Sequence, residues 1–216
     1  MSNDNIGKII RVYDSGIIRA YCWIRFKILH LRFLEEIGQY FPRSGNILDI
    51  GCGFGLFSMY YAKTFPNLNI TGIDINSKRI QIAQRAAQKL SLENVSYEVS
   101  NATSIEYESS LDCVYMLDII HHIPRTAVIP LLENIYSRLH NGCRLIIKDV
   151  ETKPVWKMWF SYALDKLMDR KADVNYWAQP ELKKMLTDVG FQVYHHSMLD
   201  ILPYPHIIYI CEKKGS

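Results

Sequence analysis

An apolar strand that runs directly into a glycine-rich turn, and from there into a helix, leaves a chain few folds to choose from. The run Ile47-Leu48-Asp49-Ile50-Gly51-Cys52-Gly53-Phe54-Gly55 has this form. Glycines at such a turn supply positive φ and let the backbone approach a ligand closely. Around the turn, short apolar runs alternate with amphipathic segments. NILDI at 46–50 is followed by a helix over about 55–64, NITGID at 69–74 by a helix over 77–90, and then come VSYEV at 95–99 and LDCVYML at 111–117. An amphipathic helix over 128–139 and CRLIIKDV at 143–150, after the helix-stopping Asn141-Gly142, continue the series. Such alternation builds βαβ units and a parallel sheet. The tail adds a helix over 180–189 stopped by Gly190, and two strands, FQVYHHSML at 191–199 and HIIYICEK at 206–213. Their Pro-rich connection, Leu202-Pro203-Tyr204-Pro205, has no room for a crossover helix, so this pair is antiparallel. The expected fold is α/β: a doubly wound, mostly parallel seven-stranded sheet with its last strand reversed.

Composition narrows the function classes. With 216 residues, 49% of them hydrophobic and 22% charged, the chain can bury a core without metal or disulfide staples. A net charge of +3 is too small to argue for nucleic acid. Cys22, Cys52, Cys113, Cys143 and Cys211 are single and form no C-x-x-C pair, which fits a reducing cytosol. No run reaches the roughly 18 to 20 apolar residues of a membrane span, and MSNDNIGKII lacks a secretory apolar region. A cytoplasmic protein is expected, organised as one domain over 1–216. Within it, 1–42 is a helical extension, 43–150 the core, 151–178 a helical cap insert and 179–216 a closing helix and hairpin. In the extension, Tyr21, Ile24, Ile28 and Leu31 recur at helical spacing behind Ile17.

The glycines discriminate between ligands. A dinucleotide fingerprint places its third glycine where Leu56 stands; glycine at Gly55, with Asp49 ahead of the turn, gives D-x-G-x-G-x-G. This resembles the first motif of the class I S-adenosyl-L-methionine-dependent methyltransferases. The resemblance covers about 46–150, with weaker agreement in the final hairpin. It implies that Asp49, Gly51, Cys52 and Gly53 seat the methionine end, that Asp74 with Ile75 beside it holds the ribose, and that Asn101-Ala102 lies against the adenine. Leu117 completes the implied cofactor set. Asn101 stands where the family has an acid, which keeps only one acceptor oxygen for the adenine amino group. The fourth motif reads LDII, unlike the N/D-P-P-Y/F sequence that stacks on a flipped base, so nucleic acid is not the expected acceptor.

Methyl transfer from a sulfonium needs an oriented acceptor and the removal of one proton. Asp118, His121 and His122, at i, i+3 and i+4 after the fourth strand, would share one face of a short helix. His122 is the first candidate base, His121 the second. The three positions resemble the E-x-x-E-H pattern of ubiquinone-type O-methyltransferases, with His121 in place of the middle acid. That makes the site poorer in oxygen and less suited to magnesium, and no metal is expected. Lys148 and Asp149 end the fifth strand on the acceptor side, and for His195, His196 and His206 of the hairpin a surface position or core packing is expected.

Two added segments, the N-terminal helix and the insert over 153–170 with Trp156, Met158, Trp159 and Phe160, would set the acceptor. Their aromatic density predicts a small, hydrophobic, aromatic or lipid-like molecule, methylated at oxygen before carbon. Their basic residues, interleaved with aromatics, also suit peripheral membrane contact; packing on the protein's own core is the other reading. A nicotinamide-type oxidoreductase and a non-catalytic cofactor-binding protein of the same fold remain the alternatives at this point.

Overall fold

The computed structural model describes residues 3–104, 111–152, 162, 174–198 and 205–215. Apart from Tyr162, the insert over 153–170 lies outside the described residues, as do 202–204 of the hairpin connection. Among the described residues no helix is long and apolar enough to cross a membrane.

The N-terminal block, read from periodicity as helix up to about residue 42, is three helices: α1 (Asn3–Arg11), α2 (Gly16–Ile28) and α3 (Leu31–Gly38). Ser15 opens α2, its Oγ accepting from the Ile18 N–H at 3.5 Å, and the chain leaves helical geometry again at Leu29 (ψ 72°). The spacing of apolar residues runs across these breaks because each helix buries part of the pattern separately, Ile6 and Ile9 in α1, Cys22 in α2, and Phe33, Leu34 and Ile37 in α3.

The strand and helix alternation then follows. It comprises β1 (Gly45–Ile50), α4 (Leu56–Thr64), β2 (Leu68–Asp74), α5 (Ser77–Lys89), β3 (Val95–Val99) and β4 (Leu111–Leu117). After these come α6 (Arg125–Arg138), β5 (Leu139–Val150), α7 (Gln179–Val189), β6 (Phe191–Met198) and β7 (His206–Lys213). The seven strands form one sheet in the order β3-β2-β1-β4-β5-β7-β6. β1 and β2 are parallel from Gly45 opposite Leu68 to Ile50 opposite Ile73, and β2 and β3 are parallel. β7 is antiparallel to both β5 and β6. Ile47 to Ile50 of β1 and Val114 to Leu117 of β4 are buried without alternation, as strands covered on both faces must be. Two boundaries differ from the sequence reading. α6 starts at Arg125 and not 128, and β5 begins at Leu139 and runs through Asn141-Gly142, with Gly142 at φ 80°.

The chain groups into two compact units. One is Met1–Ala102 with Leu111–Cys113; the other is Thr103–Ser110 with Val114–Ser216. In the first, Asn94 ties α4 to β2: its Nδ2 donates to the carbonyls of Ala62 and Leu68, both at 3.0 Å, and of Phe65 at 3.4 Å. In the second, Gly190 (φ 119°) ends α7, where a Cβ would lie 2.9 Å from the Tyr136 ring. Lys213 Nζ there donates to the carbonyls of Tyr136 and Leu139, both at 2.8 Å, satisfying the end of α6 with a cation.

Two outcomes follow from these contacts. Asn94→Ala leaves several part-buried carbonyls without that donor and lowers stability by about 1–2 kcal/mol in urea titration, with no change in m. His195, stacked on Tyr209 at 5.9 Å, has its pKa held below the ordinary imidazole value, first by burial and then by Lys183. Its neutral form is the one that fits the fold, so its contribution is present above the ordinary histidine pKa and is lost as pH falls through the depressed folded value. Thermal denaturation between pH 7.5 and about 5 should decline less steeply in His195→Gln.

Candidate active site

The first unit holds the glycine loop. Gly51, Gly53 and Gly55 have φ of 77°, 56° and 77°, the left-handed region closed to most side chains. The ladder of β1 continues into the loop, since the N–H groups of Gly51 and Cys52 both donate to the Ile73 carbonyl, at 2.8 and 3.0 Å. Asp74, 7% exposed, is fixed from two sides. Its Oδ2 accepts from the Gly53 N–H at 3.0 Å and its Oδ1 from the Asn76 N–H at 2.8 Å. Asn76 in turn caps α5 by accepting from the N–H groups of Lys78 and Arg79. Asp49 ends β1 buried at 4% exposure. Burial raises the Cys52 thiol pKa, and the carboxylates of Asp49 and Asp74 raise it further, so this side chain stays a neutral thiol.

The loop rests on residues that the motif does not contain. Tyr97 of β3 is buried, and its hydroxyl lies 3.2 Å from both the Gly55 carbonyl and Ser58 Oγ. A Cβ on Gly55 would come within 2.5 Å of that hydroxyl, and one on Gly72 within 2.7 Å of the Tyr97 ring. Gly72, which faces Tyr97 in the β2–β3 register, is the sequence signal for this slot, because a glycine inside a strand marks close approach by a neighbour. Phe54 is braced as well. Tyr13 Oη donates to its carbonyl at 2.8 Å, the Tyr21 ring meets it edge-on at 5.3 Å, and the Arg79 guanidinium lies over it at 5.8 Å. Ile75 is 75% exposed, an apolar side chain available to cover the face of a flat base, and Asn101 is exposed while Ala102 is half-buried. A loop with positive φ at three glycines, an oriented carboxylate and an exposed apolar flank together fit an adenosyl group carrying a ribose diol.

The second unit holds the residues after β4. The helix expected to carry Asp118, His121 and His122 on one face is a single 3-10 turn, Ile120–His122, closed by Ile123 and Pro124. Asp118 stands ahead of it at φ 56°, its N–H donating to the Lys148 carbonyl at 2.9 Å. The three side chains therefore do not line one helical face. Each is held differently. The buried Asp118 carboxylate accepts from the fully buried Lys148 Nζ. His121, also fully buried, shares a hydrogen bond through Nδ1 with Asp149 Oδ1, which accepts from the Val150 N–H at 2.8 Å as well. His122 is half-buried with its ring 4.1 Å from that of His121. Lys148 and Asp149, adjacent at the end of β5, thus serve Asp118 and His121 respectively, a pairing the sequence reading missed. Leu117 is buried at the end of β4.

The chain just before α7 is pinned to this turn. The Asn175 N–H donates to the His121 carbonyl at 2.7 Å, and the Tyr176 ring lies 5.2 Å from that of His121. Arg125 reaches Glu181 at 2.8 Å and the Tyr176 carbonyl at 3.3 Å, and lies over the buried Trp177 ring at 4.1 Å. Of the hairpin histidines, His206 is buried, His195 stacks on Tyr209 and His196 is exposed. Among the described residues no three His, Cys, Asp or Glu side chains converge as a metal ion requires.

The reversed seventh strand and the glycine loop after β1 define a class: the seven-stranded, Rossmann-like proteins that use S-adenosylmethionine. The comparisons agree. Residues 47–142 match a family described as a methyltransferase domain. A SAM-dependent methyltransferase from Methanosarcina mazei superposes with a TM-score of 0.69 at 23% identity, over 84% of this chain and 98% of that one. Phosphoethanolamine N-methyltransferase 1 of Arabidopsis thaliana is 32% identical over 167 residues, 68% of this chain and 33% of that protein. An O-methyltransferase of Aspergillus sclerotiorum is 33% identical over 125 residues, 55% of this chain and 46% of that protein. Residues 47–142 are thus similar to a methyltransferase domain, on a fold shared with solved methyltransferases, and the chain spans less than half the length of these curated relatives.

Gly55→Ala tests the slot. It places a Cβ against Tyr97 at a φ that favours glycine, so it costs about 2 kcal/mol or more of stability and at least roughly tenfold in affinity for S-adenosylhomocysteine by calorimetry. Tyr97→Phe, which keeps the ring and removes the hydroxyl, costs about 1 kcal/mol and only a few-fold in affinity.

Proposed function

We propose that this chain transfers a methyl group from S-adenosylmethionine to a hydroxyl oxygen of a small, hydrophobic or aromatic acceptor. When bound, S-adenosylmethionine supplies a methyl group already activated as a sulfonium, which leaves the protein to orient the acceptor and take up one proton. Asp74 keeps acceptor capacity beyond its two backbone partners, since a carboxylate offers about four lone-pair directions, and two of these suit the ribose hydroxyls. Ile75 covers the base, and Asp49 at the end of β1 faces the methionine end in this reading.

The observation that carries the choice of oxygen is the Asp149–His121 pair with the His122 ring tilted against that of His121. A hydroxyl must lose its proton as it is methylated, and imidazole is the side chain suited to accept one near neutral pH. His121 is fully buried, so His122 is the group that meets the acceptor proton, and Asp149 fixes the ring against which His122 packs. Asp118 has a different role. Removing it leaves the buried Lys148 ammonium without that carboxylate, which costs about 3–5 kcal/mol, so lost activity in Asp118→Ala reports folding and not chemistry. The greasy character of the acceptor rests on the sequence of the insert, whose Trp156, Trp159 and Phe160 lie outside the described residues. Amine methylation is the second reading, favoured by the N-methyltransferase that aligns with 68% of this chain.

Three measurements test the reading. Mass analysis of products formed with methyl-deuterated S-adenosylmethionine, across phenols, long-chain alcohols and amines, identifies the acceptor atom. Calorimetry should show binding of S-adenosylhomocysteine and none of NAD; binding of NAD alone would overturn it. Asp149→Asn should lower kcat by roughly 10 to 100-fold with S-adenosylhomocysteine affinity unchanged and the acid limb of the pH–rate profile displaced. A loss below about threefold, with a rate that tracks the ionisation of an amine substrate, favours the second reading.

A further inference from the structure

Packing of α2 on the protein's own core, the more conservative of the two sequence readings, accounts for only one side of the helix. Cys22 is fully buried, but Ile17 is 83%, Trp23 54% and Ile24 38% exposed. These three, with the exposed Arg19, Ala20 and Lys27, recur at spacings of three and four and occupy one continuous face of the helix. Gly16–Ile28 carries Arg19, Arg25 and Lys27 and no acidic residue. Lys27 Nζ lies over the Trp23 ring, 5.3 Å from its centroid. The nearest acid before the helix, Asp14, is paired with Lys89.

An exposed apolar face has several conceivable occupants, and its charges choose among them. Cores of protein interfaces are depleted in lysine, because the ammonium must be desolvated. A bilayer surface imposes no such cost: apolar side chains enter the acyl boundary, tryptophan sits at headgroup level, and lysine and arginine stems extend beside them to the phosphates. The absence of acid on α2 removes the repulsion that an anionic leaflet would otherwise meet. We infer that the face formed by Ile17, Ala20, Trp23, Ile24 and Lys27 docks this protein on anionic membrane surfaces. The inference does not depend on the methyl-transfer reading, since none of these residues belongs to the glycine loop or the histidine turn.

The test is co-sedimentation of the full chain with phosphatidylcholine vesicles, with and without phosphatidylserine, at low and high salt. Binding is expected only with phosphatidylserine and should weaken as salt rises. Lys27→Glu should reduce partitioning by roughly an order of magnitude, as should the double change Trp23→Ser with Ile24→Ser. Brominated acyl chains should quench tryptophan fluorescence in the wild type and much less in Trp23→Phe. Unchanged S-adenosylhomocysteine binding shows that the variants are folded. No sedimentation with phosphatidylserine vesicles at low salt would overturn the inference. So would sedimentation that all the variants retain, or a concentration-dependent dimer that these substitutions dissolve.

Discussion

The hydrogen bond from the Gly53 N–H to Asp74 is the contact on which the ligand-facing part of the first unit depends. It joins the end of β2 to the middle of the loop that follows β1, at the point where the main chain has left the ladder. A charge-assisted bond from backbone to carboxylate is stronger than a neutral one, and here it does two things. It anchors Gly53, the middle one of three glycines with positive φ, and it leaves Asp74 with acceptor capacity beyond its two backbone partners. Tyr97 supplies the complementary constraint from below, through the carbonyl of Gly55. With Asp74 on one side and Tyr97 on the other, the loop is organised before any ligand arrives, which lowers the ordering cost of binding.

The second unit handles the opposite problem, that of charges which must stay inside. Lys148 and Asp149 are consecutive on β5, so they point to opposite faces, and each finds a partner of opposite or titratable character after β4. Pairs of this kind contribute little net stability relative to apolar packing, but losing one member costs a great deal. Their presence therefore fixes the conformation of the turn that carries His122. The backbone bond from Asn175 to His121 and the cation of Arg125 over Trp177 then secure the chain entering α7 to that same turn.

Strands, helices and the class of cofactor were legible in the sequence because each leaves a local mark. Apolar runs of strand length, Gly190 after Val189, and the spacing of Asp49, the glycines and Asp74 are all properties of short windows. The three-residue turn after β4 was misread because i, i+3, i+4 spacing describes a helix only where the backbone stays helical. Asp118 at positive φ and the Pro124 that follows prevent it. The N-terminal block was misread for a related reason: periodicity persists across a break when the flanking helices bury side chains on compatible faces.

Taken alone, the sequence determined the order of elements, the reversed last strand and the glycine-rich loop after β1, because backbone conformational preference and apolar spacing act between near neighbours in the chain. Tertiary structure decided the rest. The pairing of Asp118 with Lys148 and of His121 with Asp149 spans about thirty residues each, and Tyr97 reaches Gly55 across about forty. The outward direction of Trp23 and Ile24 depends on which side of α2 the remainder of the first unit covers. No local pattern encodes such contacts, since they follow from which strands lie side by side and from the need to give every buried charge a partner.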